Sequence, residues 1–151
     1  IKCTSCEPVR MSATIHVSQK YANHTGGRYD GEISITSGRR EGRGTYEYPN
    51  RFFSYEGQWA DGQKHGLGRL SFADGGYYDG VFTCGEIMGE GTQVWVDAEG
   101  KASATYEGEF LSGTRHGQGS YDSRGTQYTG GWNENRYSGH GELKLPSGDH
   151  Y

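Results

Sequence analysis

One pair of cysteines near the start of the chain has the spacing of a metal-binding or redox motif. Cys3 and Cys6 are separated by two residues. A structural zinc site needs four ligands, yet Cys84 is the one other cysteine, and His16 and His24 do not have zinc-finger spacing. A thioredoxin-like role would require a βαβ setting, of which the sequence has no sign. We therefore expect no metal, no cofactor and no redox role, and three reduced thiols.

A set of carboxylates recurs at equivalent positions. Glu56, Asp79 and Glu107 each lie between a tyrosine and a glycine. On strands ~4.8 Å apart, carboxylates on alternate strands would be roughly 10 Å apart, near the separation of the acid and base of inverting glycosidases. An open sheet face, however, offers no pocket to raise a carboxyl pKa. We therefore interpret them as copies of one structural repeat and expect no catalytic residue and no enzyme.

Basic residues and histidines form a third group that could bind phosphates. The candidates for an anionic-lipid edge are Lys64, His65, Arg69, Arg115, His116 and Arg136. A lipid-binding patch is expected to hold ~4–8 clustered Lys and Arg, whereas here acidic residues intervene. The alternative is a solvated hairpin edge whose charges prevent edge-to-edge aggregation. We favour this alternative over lipid binding.

The composition predicts a thin β structure. The chain has 27 glycines among 151 residues together with 12 Tyr, 5 Phe and 3 Trp, and its hydrophobic content is 31%. Such a chain is held by aromatic stacking more than by an aliphatic core. The net charge is −4 without a basic stripe, which argues against a nucleic-acid partner. Three sparse cysteines argue against a disulfide framework and favour a reducing compartment, the cytoplasm.

A repeat of Tyr-x-Gly followed by Gly-x-Gly organises most of the chain. The Tyr-x-Gly pairs are Tyr29/Gly31, Tyr55/Gly57, Tyr78/Gly80, Tyr106/Gly108 and Tyr128/Gly130. The Gly-x-Gly pairs are Gly42/Gly44, Gly66/Gly68, Gly89/Gly91, Gly117/Gly119 and Gly139/Gly141. The predicted repeats are 29–54, 55–77, 78–105, 106–127 and 128–150. Residues 1–28 are predicted to form an extended arm, and Tyr151 stands where a sixth repeat would begin, so we expect a fragment of a longer chain.

Each repeat is predicted to form a β-hairpin. The period-two rule places Tyr55, Gly57 and Trp59 on one face of the first strand. Phe82, Phe110 and Trp132 hold the position of Trp59 in later repeats. The second strand would place Gly66 and Gly68 on the same face, where glycines leave room for aromatic rings. Because a lone hairpin is not stable in water, we predict an all-β fold, an elongated single-sheet meander of stacked antiparallel hairpins with about ten strands.

The pattern of Tyr-x-Gly-x-aromatic, a turn and Gly-x-Gly resembles the MORN repeat (membrane occupation and recognition nexus). The stretch YEGQWADGQKHGLGRLSFADGG matches that repeat almost position by position, and five copies cover residues 29–150. The resemblance extends to family members of ciliated and flagellated organisms. It implies stacked antiparallel hairpins that form a curved trough and a scaffold without catalytic activity. Residues 1–28 lie outside it.

Three functions follow as hypotheses. The leading one is a non-enzymatic scaffold of a ciliary or flagellar axoneme or another cytoskeletal assembly. Its partners would be proteins of that assembly, or a second copy bound through the ends of the repeat array by strand addition. The second is a module that binds phosphoinositides at a membrane. The third is a regulatory repeat domain of a larger enzyme.

Overall fold

The computed structural model describes residues 13–22 and 26–151. Cys3, Cys6, His24 and most of the predicted N-terminal arm lie outside these residues. Within them, no helix is long and apolar enough to cross a membrane.

In the part of the chain that the structure describes, eleven strands form one antiparallel sheet whose order follows the chain. They are β1 (Thr14–Ala22), β2 (Arg28–Ser34), β3 (Arg40–Glu47), β4 (Phe53–Ala60), β5 (Gln63–Phe72), β6 (Tyr77–Thr83), β7 (Glu86–Val96), β8 (Ala102–Leu111), β9 (Thr114–Ser123), β10 (Thr126–Asn133) and β11 (Arg136–Lys144). The predicted all-β meander is confirmed. The described part has one strand more than the ten expected, because β1 lies within the predicted arm and pairs with β2.

The chain divides into two compact units. Unit 1 contains the described residues up to Ala73 together with Val81–Glu86. Unit 2 contains Asp74–Gly80 and Ile87–Tyr151. Strands β1–β5 therefore belong to unit 1 and β8–β11 to unit 2, while β6 and β7 contribute residues to both.

Rows of paired glycines cross the strands of each unit. In unit 1 the pairs are Gly31–Gly44, Gly44–Gly57 and Gly57–Gly68. In unit 2 they include Gly91–Gly108, Gly108–Gly119, Gly119–Gly130 and Gly130–Gly141. The second glycine of each Gly-x-Gly pair lies beneath a tyrosine ring. A Cβ added to Gly68 would lie 2.6 Å from Cζ of Tyr55, so a residue with a side chain would displace that ring.

The first glycine of each Gly-x-Gly pair has a different role. Gly42, Gly66, Gly89, Gly117 and Gly139 have φ between 58° and 79°, a left-handed conformation that favours glycine. Around Gly66 the register shifts, so that three residues of β5 lie opposite Gln58 of β4. A Cβ on Gly66 would meet the Gln58 side chain, away from the aromatic face. The prediction that Gly66 shares a face with Gly68 is therefore wrong, because a bulge interrupts the period-two alternation.

The core of the described chain is almost entirely aromatic. Its buried hydrophobic residues are Tyr29, Tyr46, Tyr55, Trp59, Tyr78, Phe82, Val94, Tyr106, Phe110, Tyr128 and Trp132. The rings meet edge to face, as in Tyr55–Trp59 and Tyr106–Phe110, both with centroids 5.1 Å apart. This geometry places the positive ring edge against the negative face of the next ring.

Buried tyrosine hydroxyls are satisfied by the backbone. Oη of Tyr55 donates to the carbonyl of Gln58 at 2.8 Å, and Oη of Tyr106 donates to the carbonyl of Glu109 at 3.0 Å. Burial raises the pKa of Tyr29 and of Tyr106 to about 12, and it also raises the pKa of Tyr55. Desolvation disfavours the phenolate, so these side chains act as neutral hydrogen-bond donors that fix the hairpin.

Candidate binding surfaces

Three cationic side chains lie over the aromatic core, each two residues before a Gly-x-Gly pair. The Arg40 guanidinium is 4.5 Å from the ring centroid of Tyr46 and 4.6 Å from that of Trp59. The Lys64 ammonium is 5.4 Å from the Phe82 ring. In unit 2, the Arg115 guanidinium is 4.6 Å from the Trp132 ring. Cation–π attraction of this kind stabilises a charge where few polar partners are available.

The three cations occupy equivalent positions relative to the next inner turn, the turn that joins the two strands of a repeat. The backbone N–H of Gly62 donates to the carbonyl of Arg40 at 2.9 Å, and that of Gly85 to the carbonyl of Lys64 at 2.9 Å. The N–H of Asn135 donates in the same way to the carbonyl of Arg115, at 3.1 Å. Gly62, Gly85 and Asn135 are therefore structurally equivalent turn residues.

The side chain of that turn residue makes the surroundings of Arg115 different from those of Arg40 and Lys64. Oδ1 of Asn135 accepts from Nε of Arg115 at 3.3 Å, and Nη2 of Arg115 donates to the Asn135 carbonyl at 3.2 Å. Gly62 and Gly85 have no side chain to offer Arg40 or Lys64. The Arg115 guanidinium of unit 2 is thus held by the inner turn of the next repeat, whereas the next turns give Arg40 and Lys64 of unit 1 no side-chain acceptor.

A cleft of about 370 Å³ lies beside Arg40 and Lys64 in unit 1. We call it the inner-turn cleft; its lining residues are Arg40, Tyr46, Tyr48, Trp59, Gly62, Gln63, Lys64, Cys84 and Gly85. Nζ of Lys64 donates to Oη of Tyr48 at 3.3 Å. Within the described chain, neither cation forms an ion pair with a carboxylate; nearby Asp61 pairs with Arg39 at 2.6 Å instead.

A second depression of about 590 Å³ lies at the outer turns of unit 1, the turns that join successive repeats. We call it the outer-turn groove; its lining residues are Gly26, Arg28, Glu47, Tyr48, Pro49, Arg51, Phe52, Phe53, Ser54, Ser71, Phe72 and Ala73. Phe52 is 61% exposed and Phe53 is 40% exposed. The Phe53 ring lies 5.9 Å from that of Phe72 and 6.0 Å from that of Tyr48, measured between centroids.

The backbone holds these exposed rings in place. The N–H of Arg51 donates to the Tyr48 carbonyl at 2.9 Å and closes the turn. The N–H of Phe52 donates to Oδ1 of Asn50 at 3.0 Å, and the Phe52 carbonyl accepts from the N–H of Ala73 at 2.9 Å. The groove is therefore a fixed aromatic surface.

The six residues of the predicted anionic-lipid edge have different surroundings. Lys64, His65 and Arg69 belong to unit 1, whereas Arg115, His116 and Arg136 belong to unit 2. Lys64 and Arg115 lie over rings, Arg69 lies opposite Glu56 in the strand register, and Arg136 is exposed. Nδ1 of His65 and Nδ1 of His116 are buried without a hydrogen-bond partner in the described chain. Two of the four cations therefore pack against the core.

The predicted carboxylate ladder lies on the exposed side of the strands. Glu56 faces Thr45 on one side and Arg69 on the other, and Glu107 faces Thr92 and Ser120. Across residues 13–22 and 26–151, no group of three or more His, Cys, Asp or Glu is placed to hold a metal ion.

Cys84 is disulfide-bonded. The expectation of three reduced thiols is therefore wrong at this position. It rested on the odd number and wide spacing of the cysteines, which say nothing about which thiols the fold brings together. The inference of a reducing compartment rested on free thiols and loses that support.

Three side chains hold the bulges, a role that is not expected from the sequence. Each lies three residues after the repeat tyrosine and accepts a backbone N–H from between the two glycines of a Gly-x-Gly pair. Oε1 of Gln58 accepts from Leu67 at 2.7 Å, and Oε1 of Glu109 accepts from Gln118 at 2.9 Å. Glu32 does the same at 3.3 Å from Arg43. Their recurring spacing from tyrosine was the available signal, although Val81 and Gly131 replace them in two repeats.

Five stretches of the chain match a known protein family. The family model described as MORN repeat matches residues 36–51, 55–77, 78–98, 106–125 and 128–150. The chain is 26% identical over 131 residues to Alsin of Rattus norvegicus, a match that covers 81% of the chain and 8% of Alsin. It is 26% identical over 121 residues to Alsin of Homo sapiens, covering 76% of the chain and 7% of Alsin. The chain thus spans less than a tenth of these relatives.

Proposed function

The chain belongs to the MORN repeat family, and from that premise we propose that it is a protein-interaction module whose outer-turn groove binds partner proteins. The observation that carries the proposal is the exposure of Phe52 and Phe53 beside Phe72 and Tyr48. A fixed apolar patch that faces solvent marks an interaction surface. Aromatic side chains supply much of the binding energy of such surfaces, because they bury a large area at a small cost in conformational entropy.

We further propose that the module is a non-enzymatic scaffold in a ciliary axoneme or another cytoskeletal assembly. The repeat architecture supports the scaffold role, since a stack of similar hairpins presents surfaces without enclosing a reaction site. The ciliary or cytoskeletal setting is supported by the resemblance of the repeats to family members of ciliated and flagellated organisms. The partners would be proteins of that assembly.

Quantitative capture from ciliated cells tests both proposals. The tagged chain is compared with a double variant, Phe52→Ser and Phe53→Ser, and with the control variant Leu67→Ser. Leu67 is also exposed, by 65%, but it lies outside the groove. We expect the chain and the control to retain the same cytoskeletal or axonemal proteins, and the double variant to lose them at least tenfold.

Equal capture by the double variant would rule out the groove as the binding surface. Retention of proteins without any axonemal or cytoskeletal member would contradict the proposed setting. Circular dichroism of each variant checks that the fold is unchanged.

A second proposal is that these repeats form a regulatory domain of a larger enzyme. The matches to Alsin support it, because they place a comparable run of sequence in less than a tenth of a long chain. Sequencing of the complete transcript tests this proposal. A reading frame that continues into a catalytic domain is the expected result, and a frame with repeats alone would contradict it.

A further inference from the structure

We propose that the inner-turn cleft binds a phosphate monoester on a side chain of the partner protein. The inference rests on the proposed protein-interaction function and identifies the chemistry that one site recognises. Its basis is the pair of cations, Arg40 and Lys64, that line one small cleft.

The charge of the cleft points to a dianion. Arg40 and Lys64 bring two positive charges, and neither forms an ion pair with a carboxylate in the described chain. A phosphate monoester carries about −1.5 to −2 charge at pH 7 and three acceptor oxygens, whereas a carboxylate would neutralise one of the two cations. A guanidinium, an ammonium and the Tyr48 hydroxyl are the donors that such a group requires.

The turn residues explain why this site is in unit 1. In unit 2, Asn135 satisfies Arg115 with its side-chain oxygen. At the equivalent positions of unit 1 stand Gly62 and Gly85, and both line the cleft. The absence of their side chains leaves space beside the cations and leaves hydrogen-bond donors available to a ligand.

The position of the cleft favours a protein ligand over a membrane lipid. Tyr48 lines both the inner-turn cleft and the outer-turn groove, so the two sites are continuous through one side chain. A segment bound in the groove can therefore extend along the Tyr48 ring and place a phosphorylated side chain between Arg40 and Lys64. Aromatic walls suit such a segment, because its neighbouring side chains pack against the rings while the phosphate is held by the cations.

Titration of the full chain with inorganic phosphate tests the site. The experiment follows backbone and indole N–H signals by NMR at pH 7, without reductant, and uses chloride at matched ionic strength as the blank. We expect saturable shifts at Gly62, Gly85 and the indole of Trp59, and none at Asn135 or at the indole of Trp132. Shifts that do not saturate, or that appear equally at Asn135, would overturn the proposal.

The substitution Gly62→Asn supplies a variant that closes the site without removing a cation. Asn135 adopts φ 67° at the equivalent position, and Gly62 has φ 83°, so asparagine fits the turn. A Cβ at Gly62 would be in ordinary contact, 3.8 Å from Cβ of Arg39. We expect this variant to fold and to bind phosphate at least tenfold more weakly, since the introduced amide would accept from the Arg40 guanidinium. Arg136→Gln, which removes an exposed cation of unit 2, serves as the control and should bind as the unmodified chain does.

Two further arms separate this inference from the function on which it rests. If the double variant Phe52→Ser and Phe53→Ser still binds phosphate and still captures the partner, the proposed role of the outer-turn groove is contradicted and the phosphate site is not. If Gly62→Asn still captures the partner, the proposed phosphate site is contradicted and the protein-interaction function of the groove is not. Vesicles of phosphatidylcholine with a phosphoinositide should not be retained; retention that Gly62→Asn abolishes would assign the site to a lipid and overturn the choice of a protein ligand.

Discussion

Two hairpins built from the same motif differ in how completely they are buried. Hairpin β4–β5 of unit 1 and hairpin β10–β11 of unit 2 both carry Tyr-x-Gly-x-Trp on the first strand and Gly-x-Gly on the second. Tyr55 and Tyr128 are both buried. Gly68, however, is half-buried, whereas Gly141 and nearly all of β11 are exposed. In the strand order β5 lies between β4 and β6, and β11 is last.

The side chain that covers the repeat tyrosine also differs between the two hairpins. Lys64 lies 5.7 Å from the Tyr55 ring centroid. At the equivalent position Tyr137 stacks on Tyr128, with centroids 3.8 Å apart, and is 49% exposed. The comparison teaches that the motif alone places tyrosine over glycine, while burial of the pair depends on what the neighbouring strands supply.

The largest expected effect is that of Gly68→Val. A side chain at this position must displace the fully buried ring of Tyr55, so we expect the free energy of unfolding to fall by about 3 kcal/mol. The same change at Gly141 should cost about half as much, because β11 is exposed and last in the strand order. Chemical denaturation measures both. Glu56→Ala, an exposed control, should change stability by less than about 0.5 kcal/mol; a Gly68→Val variant as stable as this control would refute the packing of ring on glycine.

Alkaline pH should unfold the protein through its core tyrosines. Burial raises the pKa of Tyr29 and Tyr106 to about 12, whereas tyrosine in an unfolded chain has a pKa of about 10. Between these values the unfolded chain releases protons that the folded chain retains. The contribution of these tyrosines to the free energy of unfolding should therefore be fully present below pH ~10 and be lost as the pH rises from ~10 to ~12.

Absorbance of the phenolate and circular dichroism, recorded together during alkaline titration, check this expectation. The phenolate signal of the core tyrosines should develop together with loss of the β-sheet signal. Complete ionisation with an intact sheet would mean that the tyrosines are not buried as described.

A smaller effect is expected at the bulge of hairpin β4–β5. Gln58→Ala removes the acceptor of the Leu67 N–H, a bond of 2.7 Å, and should cost about 1 kcal/mol. Gln58→Glu keeps an acceptor, as Glu109 does in its own repeat, and should be close to neutral. Hairpin β10–β11 has Gly131 at this position and cannot make the bond. Equal losses for the alanine and glutamate variants, measured by thermal unfolding, would argue against a role for the bond.

The sequence predicts the fold better than it predicts the surfaces. Tyrosine and glycine recur at fixed spacing, so the hairpins and the all-β class could be inferred from the residues. The bulge at Gly66 could not, because the period-two rule assumes an unbroken register. Glycine is required at position 66 because of its left-handed φ and at position 68 because a tyrosine ring lies above it. The sequence shows glycine at both positions and does not distinguish the two reasons.

The candidate sites were harder to infer for a different reason. The sequence predicts that Lys64 and Arg115 lie at a solvated hairpin edge, because it does not reveal that a basic side chain lies over rings contributed by other strands. The sequence also does not show that Gly62 and Asn135 are equivalent turn residues. Their equivalence follows from their backbone N–H groups, which donate to the carbonyls of Arg40 and Arg115. Phe52 lies in a turn, outside the repeat motif, and its exposure depends on the local hydrogen bonds of Tyr48 and Asn50.

The central claim is that the second glycine of each Gly-x-Gly pair is required because a tyrosine ring rests on it, and its most direct test is a double-mutant cycle. Tyr128 and Gly141 suit the cycle, since they lie in the less buried hairpin and the rest of the chain should stay folded. Gly141→Ala, Tyr128→Ala and the double variant are compared with the unmodified chain by chemical denaturation. We expect Gly141→Ala to cost about 1 kcal/mol when Tyr128 is present and close to nothing when it is replaced, a coupling well above the ~0.3–0.5 kcal/mol scatter of independent sites. An equal cost in both backgrounds would contradict the claim.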